Sequence, residues 1–172
     1  MKPSIYRVTE TLRDGRRLEV RALKPEDRDG LVAAAGRSSA DTLALRFFSP
    51  KRGFTEKEIE YYTKVDFVNH VALVAVLDEA GKPLIVGGGR YIVAQPGCAE
   101  VAFTVEDAHQ GCGIASLLLR HLVKIARAAG LTELVAEVLP DNAPMLKVFE
   151  RSGLRLTRKR ERDAVHVTLR LD

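Results

Sequence analysis

The sequence predicts an α/β (α+β) fold, a mixed and mostly antiparallel central sheet flanked by helices. Three observations carry this. Strand-length apolar segments follow one another at 71–77, 84–93 and 99–105 with only turn residues between them, the pattern of antiparallel neighbours. A helix, a strand and a second helix come next, at 113–129, Glu133–Val138 and 142–152. Alternating apolar positions (Leu154 and Leu156, then Val165, Val167, Leu169 and Leu171) close the chain as a hairpin. With 172 residues, 46% of them apolar, the chain is long enough for one domain over 1–172, its first 17 residues forming an N-terminal arm or hairpin.

Each element has a local reason. Asp14-Gly15 lies between short strand-like segments and signals a tight turn. Pro25-Glu26-Asp27 opens a helix that runs to about Gly36, its acids placed where the helix dipole favours them. Two further helical segments are expected at 39–46 and 55–63. The stretch 78–83, which includes Gly81 and Pro83, is turn chemistry. Gly87-Gly88-Gly89 inside the following strand implies a bulge or a close approach of backbone; a dinucleotide fingerprint is a poor alternative, because no helix follows. In 113–129, Ile114, Leu118, Leu122 and Ile125 form a buried stripe, Arg120, Lys124 and Arg127 face outward, and Gly130 ends the helix.

Composition narrows the function. No run of roughly 20 apolar residues exists to span a bilayer, and Met1 to Glu10 contains no apolar core of a secretory signal, so a cytoplasmic location is expected. Cys98 and Cys112 form neither a CxxC pair nor a disulfide framework, and no metal site is expected. A net charge of +4 suits any anionic ligand. The basic residues Arg155, Arg158, Lys159, Arg160 and Arg162 read as the solvent face of the closing hairpin. With only 6% aromatic residues, nucleic acid is not an expected partner.

The strongest chemical signal is the segment from Val105 to Ala115, where a strand ends, a short loop carries Gly111 and Gly113, and a periodic helix begins. Unpaired amides at a helix N-terminus make a site for phosphate, and glycine lets the ligand approach the main chain. A tight turn whose glycines merely relieve strain has the same pattern, and the loop alone does not decide between them.

The second signal does. Gln110-x-x-Gly113-x-Ala115 matches the acyl-CoA pyrophosphate signature of the GNAT N-acetyltransferase superfamily. Asn142-x-x-Met145-x-x-x-Phe149-x-x-x-Gly153-Leu154 resembles that superfamily's second signature, at the expected separation. Arg21–Asp27 resembles the superfamily's usual opening strand and helix, and Leu45–Pro50, His70–Ala75 and Ala99–Val105 are similar to its bacterial protein lysine acetyltransferase branch, whose members modify acyl-CoA synthetases among other enzymes. Relatives often carry a fused regulatory region; none is expected here. The resemblance implies acetyl-CoA as co-substrate, held by Phe103, Thr104, Val105, Gln110, Gly111, Cys112, Gly113, Ile114, Ala115 and Ser116, with Asn142 orienting the pantetheine arm and Phe149 packing beside it. It also implies an amine acceptor, foremost the lysine of a protein such as an acyl-CoA synthetase; a small amine, or cofactor binding without catalysis, is the alternative.

Two departures bear on mechanism. Cys112 stands where arginine is common, and Phe149 stands where many members place a tyrosine that protonates the leaving thiolate. A lysine amine, with a pKa of about 10.4, needs a base to become nucleophilic. In 99–105, Val101, Phe103 and Val105 share one face, and Glu100, Ala102 and Thr104 the other. Glu100 is therefore a carboxylate on a central strand, expected to be buried and so raised in pKa; the branch resemblance also places the general base there. An ion-paired Glu100, or Glu106 or Asp107 as base, is the alternative. A Cys112 relay is disfavoured, His109 is expected to be an exposed loop residue, and His70 and His121 to be structural.

Overall fold

A computed structural model describes residues 1–36 and 55–172. Its strands are β1 (Arg7–Thr11), β2 (Arg17–Ala22), β3 (His70–Glu79), β4 (Lys82–Gln95), β5 (Cys98–Val105), β6 (Glu133–Val138), β7 (Arg155–Arg160) and β8 (Val165–Arg170). They form one sheet in the order β1-β2-β3-β4-β5-β6-β8-β7. Every adjacent pair is antiparallel except β5 and β6, which are parallel. The helices are α1 (Arg28–Gly36), α2 (Glu56–Thr63), α3 (Ile114–Ala128) and α4 (Ala143–Glu150). The helix expected at 39–46 lies outside the described residues.

The β3 run is apolar throughout because both of its faces are covered. Val71, Leu73, Ala75 and Leu77 join the main core, which includes Leu118, Leu122 and Ile125 of α3. Ala72, Val74 and Val76 pack on the other side with Leu23 and Ile85, against Leu31 and Ala34 of α1. Further along the sheet that second face is less covered: Glu100 and Glu137 are exposed, and Ala102 and Thr104 are half-buried.

Helix ends follow the residue chemistry. Thr55 caps α2, accepting from the Glu58 amide while Glu58 reaches back to the Thr55 amide. Asn142 accepts from Met145 N–H and caps α4, which therefore starts one residue later than expected and ends at Glu150. The first turn of the helix expected at 25–36 is a 3-10 turn, Pro25–Asp27, before α1 proper.

The triple glycine is both a bulge and a close approach. The β3–β4 register slips between Ala75 and Val76, opposite Gly87 and Ile85. A Cβ on Gly87 would sit 2.8 Å from the Thr104 carbonyl, and one on Gly89 would sit 2.7 Å from the Phe103 ring.

The N-terminal hairpin is tied to α3. Tyr6 O–H donates to His121 Nδ1 at 2.5 Å, and His121 Nε2–H donates to Glu10 at 2.8 Å. Arg120 donates to the same carboxylate at 2.6 Å. Burial, opposed by the Glu10 bond, holds the His121 pKa below its ordinary value, consistent with a neutral ring that both donates and accepts.

Candidate active site

The site begins where β5 and β6 part. Their parallel pairing runs through Cys98, Ala99 and Glu100, opposite Glu133, Leu134 and Val135, and goes no further, although β5 continues to Val105. Past Glu100, one edge of β5 is open among the described residues. The Glu106 amide bonds to Val86 O at 2.9 Å, and antiparallel alternation aims the Thr104 and Ala102 amides at β4 as well. The Phe103 and Val105 amides consequently face the gap.

A groove of about 360 Å³ continues from this gap between the 106–113 loop, the start of α3 and α4. Its walls include Phe103, Thr104, Val105, Gln110, Gly111, Gly113, Ile114, Ala115, Ser116 and Asn142. Gly111 and Gly113 have φ of +81° and +87°, a left-handed backbone that glycine adopts without strain, and a Cβ at either would meet nothing within 4 Å. Among the described residues, the amides of Gly111, Cys112 and Gly113 donate to no carbonyl. Gln110 Nε2–H donates to Val105 O at 3.1 Å, fixing the loop to the end of the strand.

A smaller cavity of about 50 Å³ shares the Phe103, Asn142 and Met145 walls and is completed by Glu100, Ala102, Glu137 and Phe149, among others. Phe149 is fully buried, its ring 6.1 Å from that of Phe103.

Residues 40–154 match the model of the acetyltransferase (GNAT) family. The chain belongs to that family. The GNAT domain of S. lividans PAT superposes with a TM-score of 0.86 at 35% identity, covering 95% of this chain and 96% of that one. An acetyltransferase of Pseudomonas aeruginosa is 32% identical over 126 residues, 73% of this chain and 68% of its own length. The acetyltransferase Pat of Mycolicibacterium smegmatis is 33% identical over 144 residues, 83% of this chain; the match spans only 42% of Pat. The protein is thus a GNAT-type acetyltransferase whose co-substrate is acetyl-CoA.

The groove fits that molecule. Free amides and left-handed glycines at the start of α3 suit a pyrophosphate. Arg13, Lys147 and Arg151 line the same groove. The open edge of β5 matches the extended, amide-bearing pantetheine arm.

Several site expectations change in three dimensions. Glu100 is exposed, not buried, because it lies on the less covered face where the sheet begins to split. Cys112 is absent from the groove walls; its Sγ lies 3.5 Å from Arg16 of the N-terminal hairpin. His109 is buried, and its Nδ1 is 2.6 Å from Glu106 Oε1. Glu106 is buried too, so it braces the loop and is not an open carboxylate at the mouth. His70 is structural: its Nε2 accepts from Arg90 at 2.9 Å, and burial, aided by that guanidinium, depresses its pKa to about 4.

Sequence reading missed Arg13, Lys147, Arg151 and Glu137. Lys147 and Arg151 carried a signal, being one helical turn apart beyond the Asn142 cap. Glu137 lies on β6 two residues beyond Val135, the register partner of Glu100, and its carboxylate pairs with His166. Arg13 carried none, since its place depends on how the hairpin docks.

Proposed function

We propose that this domain transfers the acetyl group to the side-chain amine of a protein lysine, an acyl-CoA synthetase being the acceptor class implied by the sequence resemblance, with Glu100 as general base. The single observation carrying this reading is the position of Glu100: solvent-exposed, at the point where β5 and β6 separate, on the wall of a 50 Å³ cavity. An exposed carboxylate is within reach of a lysine presented on the surface of a folded partner. Similarity to the S. lividans PAT domain along nearly its whole length supports the same choice.

When bound, acetyl-CoA supplies an acyl group activated as a thioester. Glu100 accepts the proton that the attacking amine loses, directly or through one water. The Phe103 and Val105 amides stabilise the negative charge that grows on the acyl oxygen as the C–N bond forms and the C–S bond breaks. Phe149 has no hydroxyl to give, so the departing thiolate takes its proton from solvent; a thiol pKa of about 8.5 makes that departure feasible near neutral pH.

Glu100→Gln tests the assignment. Turnover on the acceptor lysine is expected to fall by a factor of about 10²–10⁴, the usual worth of a general base, while the acetyl-CoA dissociation constant stays within about twofold. Equal turnover would remove Glu100 from the mechanism. Acetylation of free amines with none on any intact synthetase would replace the acceptor class.

A further inference from the structure

Acetyl-CoA brings a pyrophosphate and a 3′-phosphate, yet the loop from Gln110 to Ser116 contains no cationic side chain. Its charge must be met from elsewhere. Lys147 in α4 and Arg151 at its C-cap stand on one wall of the groove. Arg13 lines the groove from the turn that joins β1 to β2.

We propose that Arg13, delivered by the N-terminal hairpin, is the cationic ligand of the cofactor pyrophosphate; this rests on the acetyl-CoA site described above and extends it to an element outside both sequence signatures. Three features of the hairpin support the assignment.

The first is contact with the loop. Arg16, in the same turn, places Nη2 3.5 Å from Cys112 Sγ, so the tip rests against the residue between the two left-handed glycines. The second is availability. Arg16 is committed to Asp14, donating from Nε at 2.9 Å with Nη2 at 2.8 Å from the same carboxylate oxygen. Among the described residues, Arg13 has no hydrogen-bond or ion-pair partner, although a carboxylate lies in the same turn.

The third is preorganisation. Leu12 is buried, its amide donates to Arg16 O at 2.8 Å, and Gly15 closes the turn at φ +89°. Behind the tip, Tyr6 and Glu10 fasten the hairpin to His121 and Arg120 of α3. The helix whose N-terminus starts the phosphate site is therefore the one that anchors the arginine. Only the Arg13 side chain has to order on binding, which keeps the entropic loss small. The planar fork of a guanidinium also matches two phosphate oxygens at once.

The test is calorimetric binding of CoA and of 3′-dephospho-CoA, which keeps the pyrophosphate, to wild type, Arg13→Ala and Arg13→Lys. Arg13→Ala is expected to weaken both ligands about tenfold, the scale of one charge-assisted contact at a partly open site. Its thermal midpoint should stay with wild type, since Arg13 is exposed. Arg13→Lys keeps the charge on the same turn and should recover most of the loss. Unchanged affinity in Arg13→Ala would overturn the proposal. So would a loss seen with CoA and absent with 3′-dephospho-CoA, which would give Arg13 to the 3′-phosphate. Wild type that binds neither ligand would instead sink the assignment of the groove to acetyl-CoA.

Discussion

Gly87→Ala is the substitution whose consequence follows most directly from the geometry. Gly87 pairs with Val105 across β4 and β5. An added Cβ would lie 2.8 Å from Thr104 O, closer than the 3.0 Å below which real Cβ contacts essentially never occur, and 3.3 Å from Val105 Cα. Both are backbone atoms, so no rotamer change relieves the clash and β5 must move. Overpacking of this kind costs about 2–3 kcal/mol. The reduced freedom of alanine in the unfolded chain returns about 0.5–1 kcal/mol. The net loss is about 1.5 kcal/mol, or a midpoint fall of about 3–6 °C for a chain of this length. Gly88→Ala is the control. Its Cβ would meet only Leu73 O, at 3.1 Å, so the same entropic gain nearly cancels the strain. Because β5 carries the Phe103 and Val105 amides, Gly87→Ala should also raise the KM for acetyl-CoA several-fold, whereas Gly88→Ala should not. Urea unfolding and steady-state kinetics on the pair read both effects. Equal midpoints for the two variants would refute the claim that backbone approach, and not glycine's flexibility, sets residue 87.

Further outcomes follow from buried charge. His70 titrates near 4 when folded against about 6.5 unfolded, so the unfolded chain binds the extra proton and stability falls as pH drops through that window. By pH 5 the loss is about 2 kcal/mol relative to pH 7, and His70→Gln should flatten the slope measured by denaturant unfolding; an unchanged slope would show that another group carries it. Asp27 accepts from both Arg21 amino groups at 2.8 Å and from the Lys24 amide at 2.7 Å. Burial works against its ionisation, but these donors outweigh it and hold its pKa below the usual value. Asp27→Ala strands a largely buried guanidinium whose other acid, Glu19, is 3.4 Å away, and should destabilise by about 2–3 kcal/mol. Asp27→Asn keeps an acceptor and should lose less; the reverse order would contradict a role for the accepted hydrogen bonds.

Periodicity was enough to place β3, β4, β5, α3 and β6, because a stripe of Leu and Ile at helical spacing, or a continuous Val and Ala run, has few other ways to bury itself. The two glycines flanking Cys112 marked the loop at the start of α3 for a local reason as well, since their left-handed backbone is a property of residue type. What the chain order left undecided was solvent access and long-range charge. Glu100 has small and apolar strand neighbours in either environment; it is exposed because the sheet splits just beyond it and its face is less covered there. Glu106 and His109 look like turn residues until the loop folds them inward against each other. Arg13 is an unremarkable surface arginine in one dimension, and it reaches the groove only because Tyr6, Glu10 and His121 lock the first hairpin to α3. Local propensity depends on a few neighbouring residues, whereas burial and electrostatic pairing depend on which distant segments meet, and only the tertiary structure decides that.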